Sequence, residues 1–216
     1  MGTGSFLGGP SAAHLAGCGS CGRYRLVFQE GAVNQKYLGD SYDIVKRFWA
    51  ESLRPIAPLF ADSRFIPEEI REEFSLVTAM PVIDLNAPLP QKPFGIFLDP
   101  DTGIPLPSNP MKHATTSHVS LDYIVRLHDE FTPKYLICFD QSYHRKHELS
   151  KQEQKEKKRE YLREHGLSSF YFESQAPFLF VSHNSEALNA ISTRLLSIGI
   201  PIRRINPTNA LQLTTR

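Results

Sequence analysis

Phe94-Gly95-Ile96-Phe97-Leu98-Asp99-Pro100-Asp101-Thr102-Gly103-Ile104 holds a short apolar run that stops at an acidic turn. Apolar runs of this length, bounded by turn residues, read as a strand buried on both faces. Pro100 cannot continue a central strand, so the ladder is expected to end at Asp99. Two carboxylates then stand where the strand leaves the sheet. In open α/β sheets ligands sit in the crevice outside the carboxyl ends of the strands. The stretch therefore reads as the floor of a site.

The same pattern recurs on either side. Tyr135 to Phe139 is a second buried strand ending in an acid, Asp140, and Phe178 to Val181 is a third, delivering Ser182 and His183. Ile56 to Phe60 reads as a strand leading to Asp62, and Leu76 to Ile83 as another, interrupted by Pro81. Phe170 to Phe172 and Ile200 to Ile205 complete the strand candidates. Helices alternate with them. One runs from Ser41 to about Leu53 with Asp40 or Ser41 as N-cap and an apolar stripe of Ile44, Val45, Phe48, Trp49 and Leu53. Pro67 to Phe74 is a short helix with proline at its first position. Ser120 caps a helix ending before Pro133, and Ser185 to Ile198 is a helix closed by Gly199. Residues 144–166 hold eight Lys/Arg against five Glu and read as a solvated helix laced with ion pairs, or alternatively as a lid that contacts phosphate. Strands alternating with helices predict a Rossmann-like three-layer α/β sandwich with a mainly parallel sheet.

A chain of 216 residues fits one domain of ordinary hydrophobic content, 41%. The net charge of +1 gives no global reason for nucleic acid or membrane as a partner. No apolar run approaches the roughly 20 residues that span a bilayer. The three cysteines, Cys18, Cys21 and Cys138, do not form a disulfide framework and suit a reducing cytoplasm.

Eight of the thirteen glycines fall in residues 1–32, a stretch without helical or strand periodicity. Gln29-Glu30-Gly31 can be encoded by codons that contain a bacterial ribosome-binding hexamer, with Val33 as a GTG start. Residues 1–32 are thus expected to be a disordered leader, and 33–216 one α/β domain. Cys18 and Cys21 form a CxxC with no second pair for zinc.

Asp62, Asp99, Asp101, Asp140 and His183 all fall at expected strand ends and could converge on one sheet edge. His144, four residues beyond Asp140, could serve as a base or a ligand. Carboxylates so placed could hold Mg²⁺ or Mn²⁺ for phosphodiester chemistry, using Asp99, Asp101 and Asp140. Asp43 and Lys46 share a helix face and read as a surface ion pair, or, with Gly39 and Asp40, as the edge of a cleft. No P-loop, nucleophile elbow or dinucleotide fingerprint occurs.

Tyr37-Leu38-Gly39-Asp40, Asp43 and Lys46, followed by Phe97-Leu98-Asp99-Pro100-Asp101 and Gly103-Ile104, resemble the motifs of a family of uncharacterised bacterial proteins across about residues 35–205. The order of motifs is also distantly similar to the RlmJ-type rRNA adenine methyltransferases. There an Ala-Asp-Val-Leu-Lys-His helix precedes the first strand, as Tyr42-Asp43-Ile44-Val45-Lys46-Arg47 does here, and a later strand ends in Asp-Pro-Pro-Tyr. This resemblance implies a class I methyltransferase-like fold, S-adenosylmethionine as cofactor and nucleic acid as substrate. Asp99 would contact target base or methyl donor, with Asp43 and Lys46 near the donor pocket. The candidate catalytic residues are therefore Asp99, Asp101 and Asp140, and the candidate cofactor contacts Gly39, Asp40, Asp43, Lys46 and Asp62. Thr102 replaces the tyrosine that stacks on a flipped base. No glycine lies between Gly39 and Gly95, so the turn after the first strand lacks the glycines that let backbone approach a cofactor. Loss of that turn leaves a non-catalytic binding module on the same scaffold as the third reading.

Overall fold

The structure is a computed structural model that describes residues 37–107, 117–143 and 148–205. The leader at 1–32, the cysteines Cys18 and Cys21, and His144 lie outside the described residues.

Six strands form one sheet: β1 (Leu59–Asp62), β2 (Val82–Ile83), β3 (Gly95–Leu98), β4 (Tyr135–Phe139), β5 (Ser168–Phe172) and β6 (Phe178–Ser182). Their order is β2-β1-β3-β4-β6-β5. β2, β1, β3 and β4 are parallel, and β6 runs antiparallel to β4 and β5 on either side of it. The helices are α1 (Ser41–Leu53), α2 (Arg71–Thr78), α3 (Leu121–Phe131), α4 (Lys151–Glu164) and α5 (Ser185–Ser197). This is an α/β fold with a mostly parallel sheet, compatible with a Rossmann-like sandwich. Among the described residues no helix is long and apolar enough to cross a membrane.

The layers follow from connection handedness. From β1 the chain steps through α2 to β2 on one side, whereas β3 lies on β1's other side and α3 leads onward to β4. Right-handed crossovers in opposite directions place their helices on opposite faces. α1 packs with α2 and α5, and α3 packs with α4. Every residue of β3 and β4 is buried, as their unbroken apolar runs require. On the α1 side Trp49 stacks edge-on against Phe172, Phe178 and Phe180, with ring centroids 4.8–5.6 Å apart, a geometry that aromatic quadrupoles favour.

Several elements differ from expectation. β1 starts three residues later than expected, because Ile56 and Ala57 still donate backbone hydrogen bonds to Leu53 at the end of α1. Leu76 to Thr78 are helical: Thr78 Oγ1 donates back to the Phe74 carbonyl, leaving β2 only two residues. Ile202–Arg204 forms a 3₁₀ turn after Pro201 rather than a strand, and only Ile205 bridges to β5. Ile44 is exposed, and the inward face of α1 is Asp43, Lys46, Trp49, Ala50 and Leu53. α4 carries surface ion pairs but also turns Lys155 and Lys158 inward, so it is not a wholly solvated helix.

Candidate functional site

The chain order reverses between β1 and β3, and the crevice above such a switch point is where α/β sheets take ligands. Asp99 follows β3 there and is buried. Across from it, Asp40 caps α1, its side chain accepting from the N–H groups of Tyr42 (2.7 Å) and Asp43 (3.3 Å). Gly39 takes a φ of +89°, suited to glycine, and its N–H donates to Asp43 Oδ2 at 2.7 Å. Lys46 donates to Asp43 Oδ1 at 2.8 Å and sets its Nζ 2.6 Å from Asp99 Oδ2. Lys46 thus stands between the two carboxylates and forms a buried ion pair with each. The Asp43–Lys46 pair is therefore buried and is not a surface ion pair.

The electrostatics follow from that geometry. Burial pushes the Asp99 carboxyl above its ordinary range, against the pull of Lys46, and Asp43 and Asp40 add to the rise. Burial works to lower Lys46, but the fields of Asp99 and Asp43 outweigh it and leave the ammonium held above its usual value. Asp101 sits at the exposed rim and is raised by partial burial and then by the Asp99 charge. The site is thus acid-rich, with Asp40, Asp43, Asp99 and Asp101 around one lysine.

Two other predicted residues stand apart. Asp140 accepts from Ile104 N–H (2.9 Å), Ser142 N–H (3.1 Å), Ser142 Oγ (2.8 Å), Tyr171 Oη (2.7 Å) and Lys158 Nζ (2.7 Å). A carboxylate filled by five donors braces structure and has no lone pair to offer a substrate. Gly103 packs so tightly against it that a Cβ would lie 2.4 Å from Asp140 Oδ1. Asp62 points to the opposite face: Oδ1 accepts from Arg64 N–H (2.9 Å) and Oδ2 from Tyr123 Oη (2.6 Å). Burial raises both the Asp62 carboxyl and the Tyr123 phenol. His183 falls at the other end of the sheet, because β6 runs backwards and its last residues pair with the start of β4. Among the described residues, no group of three or more His, Cys, Asp or Glu side chains is placed to hold a metal ion.

Sequence reasoning missed Lys158, Tyr171, Tyr123 and Arg64. A signal for Lys158 existed: Gln154, Lys155, Lys158 and Leu162 repeat at helical spacing, so Leu162, buried with them, marks an inward stripe.

The α1 side of the switch point is acid-rich, a setting that suits a ligand carrying positive charge. The β1 side is tighter: Ser63–Phe65 forms a 3₁₀ turn capped by Asp62, with Phe65 fully buried. No known protein family, curated protein or solved structure matches this chain.

Proposed function

We propose that the chain is a divergent class I methyltransferase-like enzyme that takes S-adenosylmethionine and acts on nucleic acid. One observation carries this reading. Lys46, Asp43 and Asp99, which the methyltransferase resemblance draws to one donor pocket from separate motifs, meet within hydrogen-bond distance at the switch point of the sheet. A sheet with five strands running one way and a reversed β6 between β4 and β5 is in keeping with the same resemblance. S-adenosylmethionine would supply an electrophilic methyl group. Asp40, Asp43 and Asp99 would face its positive charges, and Asp99 would also accept a hydrogen bond from an amino group of the target base. Asp140 and Asp62 act as braces that hold the β4 and β1 ends of the crevice.

The closed turn after β1 favours a second reading, a non-catalytic module that binds a ligand in the same crevice. A thermal-shift panel on the full chain with S-adenosylmethionine, S-adenosylhomocysteine, Mg²⁺ and Mn²⁺ separates the cases, since ligands of the native state raise its melting temperature. The methyltransferase reading expects a rise with both adenosyl compounds. A rise with a divalent ion alone would replace it with phosphodiester chemistry, and no rise at all would leave the binding module.

A further inference from the structure

The turn after β1 is filled by positive charge in place of glycine. The Arg64 guanidinium carbon lies 4.0 Å from the centre of the Tyr123 ring, and that of Arg126 lies 5.1 Å from it. Tyr123 is buried and fixed by its hydrogen bond to Asp62, whereas both arginines are exposed. Arg126 follows Tyr123 by three residues on α3, so the two share a helix face. Arg64 comes from the β1 turn, so two elements deliver two cations to one ring. Among the described residues neither guanidinium is in an ion pair. Asp62, the acid closest in charge effect to Arg64, has both oxygens occupied by Arg64 N–H and Tyr123 Oη.

Asp62 is one negative charge against two guanidiniums, so the pair keeps a net positive charge that attracts an anion. A rigid aromatic base reduces the entropy lost when guanidiniums grip an anion. β1 and β3 are neighbours, with Ala61 opposite Phe97, so the basic pair beside α3 and the acidic cluster beside α1 stand at the same edge of the sheet on its two faces. The sheet edge is thus polar across its thickness, basic on the α3 side and acidic on the α1 side.

Resting on the methyltransferase reading, we infer that the Arg64–Tyr123–Arg126 stack holds a backbone phosphate of a single-stranded nucleic acid substrate. The charge gradient orients the strand, with phosphate on the arginines and the amino-bearing base toward Asp99. A strand bound the other way round would set phosphates against Asp40, Asp43, Asp99 and Asp101. A single strand is required because the buried Asp99 is reached only by an unstacked base.

Fluorescence anisotropy of a labelled single-stranded RNA with the full chain, at salt concentrations from about 50 to 200 mM, tests this. Each phosphate contact to a single strand contributes about 0.7 to the slope of log affinity against log salt. Arg64→Ala and Arg126→Ala are each expected to reduce that slope by up to about this amount and to weaken binding, while Arg64→Lys and Arg126→Lys retain most of the slope. An unchanged slope in both alanine variants, or no RNA binding by the wild type, overturns the inference. So does competition by inorganic phosphate or a mononucleotide as strong as that by unlabelled RNA, which would make this a small-anion site. Asp129→Asn, at the far end of the sheet, is expected to bind RNA like the wild type. If S-adenosylmethionine does not bind but the arginine-dependent slope persists, the methyltransferase reading fails and the phosphate site stands.

Discussion

Lys46 reaches from α1 to bring its Nζ 2.6 Å from Asp99 Oδ2, while the same ammonium donates to Asp43 at 2.8 Å. One cation therefore balances two buried carboxylates. The arrangement is asymmetric, and the two ends should respond differently to substitution.

Lys46→Met leaves Asp43 and Asp99 buried without a counter-charge, and breaking a buried pair in this way costs about 3–5 kcal/mol. Asp99→Asn leaves Lys46 its bond to Asp43 and relieves the desolvation that raises Asp99, so its cost should be about 1 kcal/mol or less. Urea unfolding of both variants measures this. Equal losses, or a larger loss for Asp99→Asn, would mean that Asp99 is a structural cap.

Lys157 and Lys158 are adjacent on α4 but differ in setting. Lys157 makes an exposed pair with Glu160, whereas Lys158 is buried against Asp140 and Ser142. Lys158→Met should cost about 3–5 kcal/mol, whereas Lys157→Met, which removes only a solvent-exposed pair, should cost far less. Similar unfolding midpoints for the two variants would contradict the buried assignment.

Gly103 has a φ of +110°, and a Cβ there would lie 2.6 Å from Asp140 Cα, a backbone atom that cannot swing aside. Strain and overlap together predict that Gly103→Ala loses at least about 2 kcal/mol. Gly39, also at positive φ, has nothing within 4 Å of its Cβ position, so Gly39→Ala should lose less. Thermal melts of the pair rank them.

The parts of this fold that could be read in advance are those fixed by neighbouring residues. β3, β4 and β6 are unbroken apolar runs between turn residues, and Asp40, Ser120 and Gly199 mark helix ends by chemistry that acts over one turn. Leu76 to Ile83 read as one strand, but Leu76 to Thr78 continue α2, with Thr78 bonded back to Phe74. The ion pairs were harder. Asp43 and Lys46 were visible as a pair, but their burial depends on Asp99, which the fold brings from a distant part of the chain. Asp140 carried the same strand-end signature as Asp99. Only the arrival of Lys158 and Tyr171 from later elements turns one acid into a brace and leaves the other at the crevice.

His128 is buried with neither ring nitrogen partnered, its ring edge-on to His183 at 5.2 Å. Burial, and then the His183 charge, lowers its pKa from 6.5 to about 3. The folded state therefore binds fewer protons than the unfolded chain between those values. Its contribution is complete above about pH 6.5 and is lost as pH falls toward 3, amounting to about 4–5 kcal/mol over the window. His128→Leu should flatten the acid limb of a stability–pH profile. An unaltered slope would show that His128 finds a partner in solution.

Isothermal titration of S-adenosylmethionine into the full chain, its Asp99→Asn variant and an Asp129→Asn control tests the central claim most directly. Asp129 is exposed and sits with His183 at the far end of the sheet. A donor site at the switch point predicts binding by the wild type and the control, and a loss of about tenfold or more in Asp99→Asn, the scale of one charge-assisted hydrogen bond. Equal binding by all three proteins, or none by the wild type, would contradict it.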